Sequence, residues 1–234
     1  MTAAPGTPGP QALAAKVVAE LVGTTFLVAT VIGSGIMATR LSEDAGLQLL
    51  ENSVATGAVL VALILTLQPV SASFNPVVTA VEATLGRISW GLAGLLALAQ
   101  VAGACLGAVL ANLMFDLSAV SLSTKERSGG DLWLAEVVAT VGLVLVVFGG
   151  IRSGRSETLA FAVGGYITAA YWFTSSTSFA NPAVTAGRTL SDTFAGIDPS
   201  SAPVFVGMQV LGGLVGLALV VVLYPGIHPA KETA

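Results

Sequence analysis

Apolar residues run in long stretches along this chain, broken by short polar intervals, and the runs define the elements. Residues 12–37 are long enough to cross a bilayer, which takes roughly 20 apolar residues, with Lys16 and Glu20 near the start. A polar loop is expected over 39–52, carrying Arg40, Glu43, Asp44 and Glu51. The next run, 54–67, offers only 14 residues before Gln68-Pro69, short for a crossing. Trp90–Met114 and 132–151 are full spans separated by a polar loop over 116–131. After a tight loop at 152–157 comes a second short run, Leu159–Phe173, of 15 residues. The last span, 204–224, is stopped by Pro225-Gly226.

A related motif follows each short run: Ser73-Phe74-Asn75-Pro76-Val77 and Ser178-Phe179-Ala180-Asn181-Pro182-Ala183. Asparagine accepts hydrogen bonds from free backbone N–H groups at a helix start, and proline at the first helical position has no N–H to leave unpaired. Short helices are therefore expected over 77–85 and 183–190. One Asn-Pro is only a cap or a turn, whereas two in matching places are harder to set aside.

The surrounding sequence repeats too. Ala19-Glu20-Leu21-Val22 in the first span matches Ala135-Glu136-Val137-Val138 in the fourth; Gln100 with Gly103 and Gly107 matches Gln209 with Gly212 and Gly216. Shared landmarks in one order mark an internal repeat, about 12–115 and 131–225. Each half holds three spans, an odd number, so the second enters the membrane inverted. The expected fold is an all-α membrane protein with six transmembrane helices and two re-entrant half-helices in an inverted repeat, one channel domain over 12–225 between a disordered tail at 1–11 and a polar tail at 226–234. Paired short segments at matching positions of two halves point to a pathway through the membrane.

Composition narrows the function. Of 234 residues, 54% are apolar and 9% charged, with mean hydropathy +0.88, far below the roughly 25% charge of a soluble domain. The net charge of −4 and the absence of a basic stripe give no nucleic-acid signature. The single Cys105 and the single His228, in the tail, leave no cysteine–histidine metal set, and no nucleophile–base pair or cofactor motif is visible, so neither metal, cofactor nor enzyme is expected. Cys105 reads as packing; Trp90, Trp133 and Tyr224, at span ends, as anchors in the interface. Ser128-Gly129-Gly130 reads as a loop hinge, and the paired glycines as helix contacts within one protomer. With the N-terminus inside, the cytoplasmic side receives Lys16, Arg87, Arg152, Arg155 and Lys231, against Arg40, Lys125, Arg127 and Arg188 outside, a small bias of the usual sign.

Inverted half-helices bring two partly positive N-termini to one point near the midplane. Non-helical backbone over 68–74 and 174–180 is tolerated at that depth only when buried in protein or lining a cavity, where its carbonyls supply acceptors and the Asn75 and Asn181 amides supply donors. Neutral hydroxylated solutes can exchange hydrogen bonds along such a line, while a cation meets two positive dipole ends.

These features resemble the major intrinsic protein family, the aquaporins and aquaglyceroporins, over 12–225. The resemblance implies an aquaporin-like bundle with a pore in each protomer, a homotetramer in a plasma membrane, and cytoplasmic termini. Glu20 and Glu136, which as membrane-embedded carboxylates would otherwise suggest a proton relay, are by resemblance braces for the re-entrant loops, with Gln100 and Gln209 in similar roles. The departures are Val77 in the first motif and Val184 after the second, where water and glycerol channels carry a constriction arginine. Matching positions to the family places Thr56, Ala169, Ser178 and Val184 at the selectivity filter, all small or medium and uncharged. That implies a wide, arginine-less filter suited to water, glycerol-like polyols and undissociated metalloid hydroxides such as arsenous acid, similar to bacterial members associated with arsenite movement. Arg188, seven residues after Asn181, shares its helix face and either reaches the pore mouth as a vestibule cation or faces a loop acceptor such as Asp192. A secondary transporter with inverted repeats and a poorly conducting membrane scaffold remain as alternatives.

Overall fold

The computed structural model describes residues 9–225. The tail expected at 226–234, with His228 and Lys231, and residues 1–8 of the N-terminal tail lie outside the described residues. Among those described, the chain is helical: α1 (Pro10–Leu41), α2 (Ala45–Leu67), α3 (Pro76–Thr84), α4 (Trp90–Met114), α5 (Gly130–Arg152), α6 (Leu159–Phe173), α7 (Pro182–Arg188) and α8 (Ala202–Leu223). Five of these are long and apolar enough to cross a membrane. The 15-residue α6 is extended by a 3₁₀ turn at Ser156–Thr158. The six spans put both described ends on one side of the bundle, called here the terminal side; the loops 42–44, 115–129 and 189–201 lie on the far side.

The expected polar loop at 39–52 shrinks to residues 42–44. Helix α1 continues to Leu41, and Asp44 caps α2, its carboxylate accepting from the Leu47 N–H at 2.8 Å. The polar residues of 45–53 are helical because they have partners on other helices: buried Asn52 donates to the Val31 carbonyl and the Ser34 hydroxyl, both at 2.8 Å. The second segment is thus a full 23-residue span, although its apolar run alone is too short. Helix α1 likewise starts at Pro10, two residues earlier than expected, using proline at N1.

Helix α1 packs along α4, and α5 along α8. The glycines expected as helix contacts make these crossings close. A Cβ on Gly103 would run into the Leu21 carbonyl, one on Gly107 into the Thr25 carbonyl, and one on Gly212 would stand 2.6 Å from the Val137 carbonyl. The repeats also interlock. Half-helix α7 of the second packs on α4 of the first, and α3 of the first reaches α8 of the second, where Val77 fills the space left by Gly213. Trp90 is exposed, as a lipid-facing anchor requires, but Trp133 is not free at a surface: it packs on a cluster of Phe179, Ile197 and Phe205 under the far-side loops.

Because the α1–α4 and α5–α8 crossings are matched in the two repeats, adding bulk at either should have the same effect. Gly103→Val and Gly212→Val are each expected to destabilise the detergent-solubilised protein by about 1–3 kcal/mol or more, the range for overpacking. Thermal unfolding followed by circular dichroism measures this, and an unchanged melting temperature would contradict the close crossing.

Candidate functional site

Backbone that leaves a helix inside a bilayer needs partners for its N–H groups. Two fully buried carboxylates provide them. Glu20, on α1, accepts from the N–H groups of Ser73 (2.8 Å) and Phe74 (2.7 Å) and from the Ser71 hydroxyl (2.5 Å). Glu136, on α5, accepts from the N–H groups of Phe179 (3.0 Å) and Ala180 (2.9 Å). Each is held in turn by a glutamine of the helix packed beside it. Gln100 donates to Glu20 (2.8 Å) and to the Thr79 hydroxyl (2.9 Å); Gln209 donates to Glu136 (2.6 Å) and to the Thr185 hydroxyl (2.9 Å). Thr79 and Thr185 donate back to the Asn75 and Asn181 carbonyls, tying carboxylate, glutamine and half-helix into one chain of bonds in each repeat.

The residues before the two asparagines are strained. Phe74 (φ 49°) and Ala180 (φ 47°) are left-handed, as are Thr177 (63°) and Ser178 (52°), at roughly 1–2 kcal/mol per residue. The turn aims the Phe74 and Ala180 carbonyls at the opposite repeat. Asn75 donates to the Ala180 carbonyl and Asn181 to the Phe74 carbonyl, both at 2.7 Å. Their side-chain oxygens meanwhile cap α3 and α7, accepting from Val77 and from Ala183 and Val184. An amide NH₂ carries two hydrogens, so each asparagine keeps one N–H beyond this exchange.

Both asparagines line a cavity of about 470 Å³. Lys16, Glu82, Arg87 and Ser156 stand at its terminal end; there Glu82 accepts from the Ser73 hydroxyl at 3.1 Å and lies 3.9 Å from Arg87. The backbone of 68–74 forms one wall, and apolar side chains of α1, α2, α5 and α6, including Leu27, Leu60, Leu143 and Ile167, form the rest. Of the other motif residues, Pro76, Val77 and Pro182 turn away to an apolar groove against α8, and Ala183 is fully buried in the core.

At the far end Thr56, Ser178 and Val184 line the cavity together, and Ala169 does not. Ala169 is exposed on α6, off the face that carries Val163 and Ile167. The next residue in that phase is Tyr171, which lines the cavity and whose hydroxyl lies 3.2 Å from that of Thr56. None of the expected filter positions is an arginine, and Arg188 lines the same cavity in addition to Thr56, Ser178 and Val184. At 2% exposure its Nε bonds the Ala195 carbonyl and its guanidinium lies 3.4 Å from the centre of the Phe179 ring. Its terminal Nη groups have no protein hydrogen-bond partner among the described residues, and neither has the buried Ser178 hydroxyl. Asp192, the alternative partner for Arg188, accepts instead from Thr124 at 2.9 Å.

The expected loop hinge is part of a packed cover. Residues 115–129 lie against 189–201, and Arg127 points inward from them, nine-tenths buried. Burial pushes its guanidinium down to about 10, so it stays charged at neutral pH.

Residues 10–180 match the family model described as major intrinsic protein. The chain belongs to that family. Major intrinsic proteins are membrane channels, so this one is a multi-pass channel and not an enzyme. It is 50% identical over 208 residues to the aquaglyceroporin AqpS of Rhizobium meliloti (strain 1021), covering 88% of this chain and 89% of that one. It is 30% identical over 188 residues to aquaporin NIP2-1 of Arabidopsis thaliana, covering 75% and 65%. The aquaglyceroporin of Plasmodium falciparum, solved by X-ray, has the same fold, with a TM-score of 0.75 over 92% of this chain and 98% of that one at 16% identity.

Sequence reasoning about this major intrinsic protein missed Tyr171, Phe179 and Arg127. Tyr171 had a signal, since it continues the helical phase of Val163 and Ile167 where Ala169 breaks it. Arg127, in a polar loop among serines, had none.

The bracing carboxylates predict matched effects in the two repeats. Glu20→Gln and Glu136→Gln each replace an acceptor of two backbone N–H groups by an amide that carries its own donors. Each is expected to cost about 2–4 kcal/mol. Thermal melts and solute flux of reconstituted protein are the measurements, and a melt within a degree of the parent in either variant would contradict the bracing role.

Proposed function

We propose that this channel passes small neutral hydroxylated solutes passively: water, glycerol-like polyols and undissociated metalloid hydroxides such as arsenous acid. It works as a homotetramer in the plasma membrane, with its terminal side in the cytoplasm. The observation that carries the reading is the far end of the cavity, where the Arg188 Nη groups and the buried Ser178 hydroxyl, without protein partners among the described residues, line the wall with Thr56, Tyr171 and Val184.

Such a ring is amphipathic. A polyol presents hydroxyls on one edge and C–H groups on the other; its oxygens accept from Arg188 and its hydroxyls bond Ser178 and Thr56, while Val184 faces the carbon chain. Past the ring, the second N–H of Asn75 and of Asn181 replaces the hydrogen bonds lost with hydration, and the backbone of 68–74 takes over toward the cytoplasm. The opposite wall is apolar and holds nothing, so a solute is passed along instead of trapped. A cation meets Arg188 and the positive starts of α3 and α7.

Val184, at the place of the family's constriction arginine, and the small side chains of Ser178 and Thr56 favour solutes larger than water. Tyr171, the bulkiest member of the ring, limits how much larger. The relative named as an aquaglyceroporin agrees with polyol passage, and the lack of charge on the proposed solutes agrees with a fixed cation, Arg188, beside them.

The test is stopped-flow light scattering on proteoliposomes challenged with sucrose, glycerol and undissociated arsenous acid. Re-swelling with glycerol or arsenous acid, linear in concentration, is the expected result. Saturating or ion-gradient-driven uptake would instead mean a transporter, and no acceleration of any flux would mean a scaffold. Within the same assay Tyr171→Ala should raise the flux of five- and six-carbon polyols relative to water several-fold; an unchanged ratio would remove Tyr171 from the constriction.

A further inference from the structure

Loop 115–129 is tied to the segment that follows α7. The N–H groups of Ser121 and Ser123 donate to the Leu190 and Thr189 carbonyls at 3.1 and 3.0 Å, and the N–H of Asp198 donates to the Lys125 carbonyl at 2.8 Å. The Thr124 N–H donates to Asp192 at 2.9 Å. The two segments touch at Gly196, where a Cβ would meet the Ser191 carbonyl at 2.5 Å and also collide with the Ser123 hydroxyl. This close seam buries one charged side chain of the loop, Arg127.

Arg127 and Arg188 are held in the same way. The Nε of Arg188 donates to the Ala195 carbonyl, and the Nε of Arg127 donates to the next carbonyl, Gly196, at 2.9 Å. Both guanidiniums lie over the Phe179 ring, 3.4 Å and 5.0 Å from its centre. The Arg127 N–H donates to the Ser201 hydroxyl at 3.1 Å, and its Nη1 reaches the Ser176 carbonyl at 3.5 Å. Among the described residues no carboxylate lies within ion-pair distance of either arginine. Two like charges thus share one ring and two consecutive carbonyls, against their mutual repulsion and the cost of burial. Backbone carbonyls and an aromatic face hold guanidiniums without an ion pair; the buried Glu136 carboxylate offsets both in part and Lys125 adds to them, so the far end carries a cluster of positive charge in surroundings of low polarity. Only Arg188 lines the cavity; Arg127 does not.

We propose that Arg127 is a specificity-determining residue of this channel, a second fixed charge that adds to Arg188 to exclude cations and protons without touching the solute. The inference rests on the neutral-solute reading above. It accounts for a filter in which valine occupies the place after the second Asn-Pro-Ala and the nearest arginine sits one turn on: the barrier is built from two displaced charges instead of one.

The test uses full-length protein in proteoliposomes and measures two quantities on each preparation: glycerol re-swelling, and sodium and proton leak by ion-sensitive dyes under an imposed potential. Arg127→Gln is expected to raise the ratio of cation leak to glycerol flux on the order of tenfold, since an unscreened charge at this depth acts strongly on a permeating ion; Arg127→Lys should keep the parent's ratio. A ratio unchanged in Arg127→Gln, or raised equally in Arg127→Lys, overturns the proposal. Should Arg127→Gln fail to assemble, Arg127→Met decides, because it keeps the long side chain and removes only the charge; its leak must rise if the charge acts as proposed, and an unchanged leak refutes it. Absence of glycerol flux in the parent is a separate result, counting against the neutral-solute reading itself.

Discussion

A bilayer supplies no hydrogen bonds, and this protein breaks two helices in the middle of one. Everything distinctive about it follows from how the exposed backbone is satisfied. Glu20 and Glu136 are the answer, each a buried carboxylate turned on consecutive N–H groups of a non-helical segment. A carboxylate can take several donors at once and bonds them more strongly than a neutral acceptor. Here its charge is taken up by backbone N–H groups, which explains how two carboxylates sit in the membrane with no ion pair to an arginine or lysine among the described residues. Gln100 and Gln209 hold the carboxylates in place, and the close helix crossings at Gly103 and Gly212 let those glutamines reach.

With the N–H groups taken, the left-handed turns at Phe74 and Ala180 become affordable, and the carbonyls they expose are met by asparagines from the opposite repeat. Bracing, strain and cap therefore form one sequence of causes ending at the cavity. The half-helices keep their positive ends together because each asparagine has two tasks, capping its own helix and gripping the other loop.

Much of this is legible in the residues. Asn-Pro twice, a glutamate early in the first and fourth spans, and a glutamine with spaced glycines in the third and sixth are enough to give the inverted repeat, because each landmark is tied to a backbone problem that recurs by symmetry. The apolar pattern fails where helix is stabilised by polar contacts: residues 45–53 join α2 because Asn52 is paired across to α1. The constriction is only partly legible. Ser178 and Val184 lie close to Asn181 and are fixed by counting, whereas counting back to Ala169 crosses the irregular stretch at 174–180, with its three left-handed residues Thr177, Ser178 and Ala180, and comes out off the cavity-facing side. Arg127 depends on how one loop folds over another, and nothing in its neighbours announces that.

The exchange between Asn75 and Ala180 has a consequence for biogenesis. Its partners are 105 residues apart in the chain, and those of the reciprocal bond 107. At a synthesis rate of about 5–20 residues per second, the first re-entrant segment waits on the order of 5–20 s for the partner that completes it. Until then Asn75 and the Phe74 carbonyl stand in the membrane with water or each other as the only recourse. The nascent first half is thus an unfinished object, competent to insert but not to settle, and its last polar groups close only when the ribosome has delivered the second.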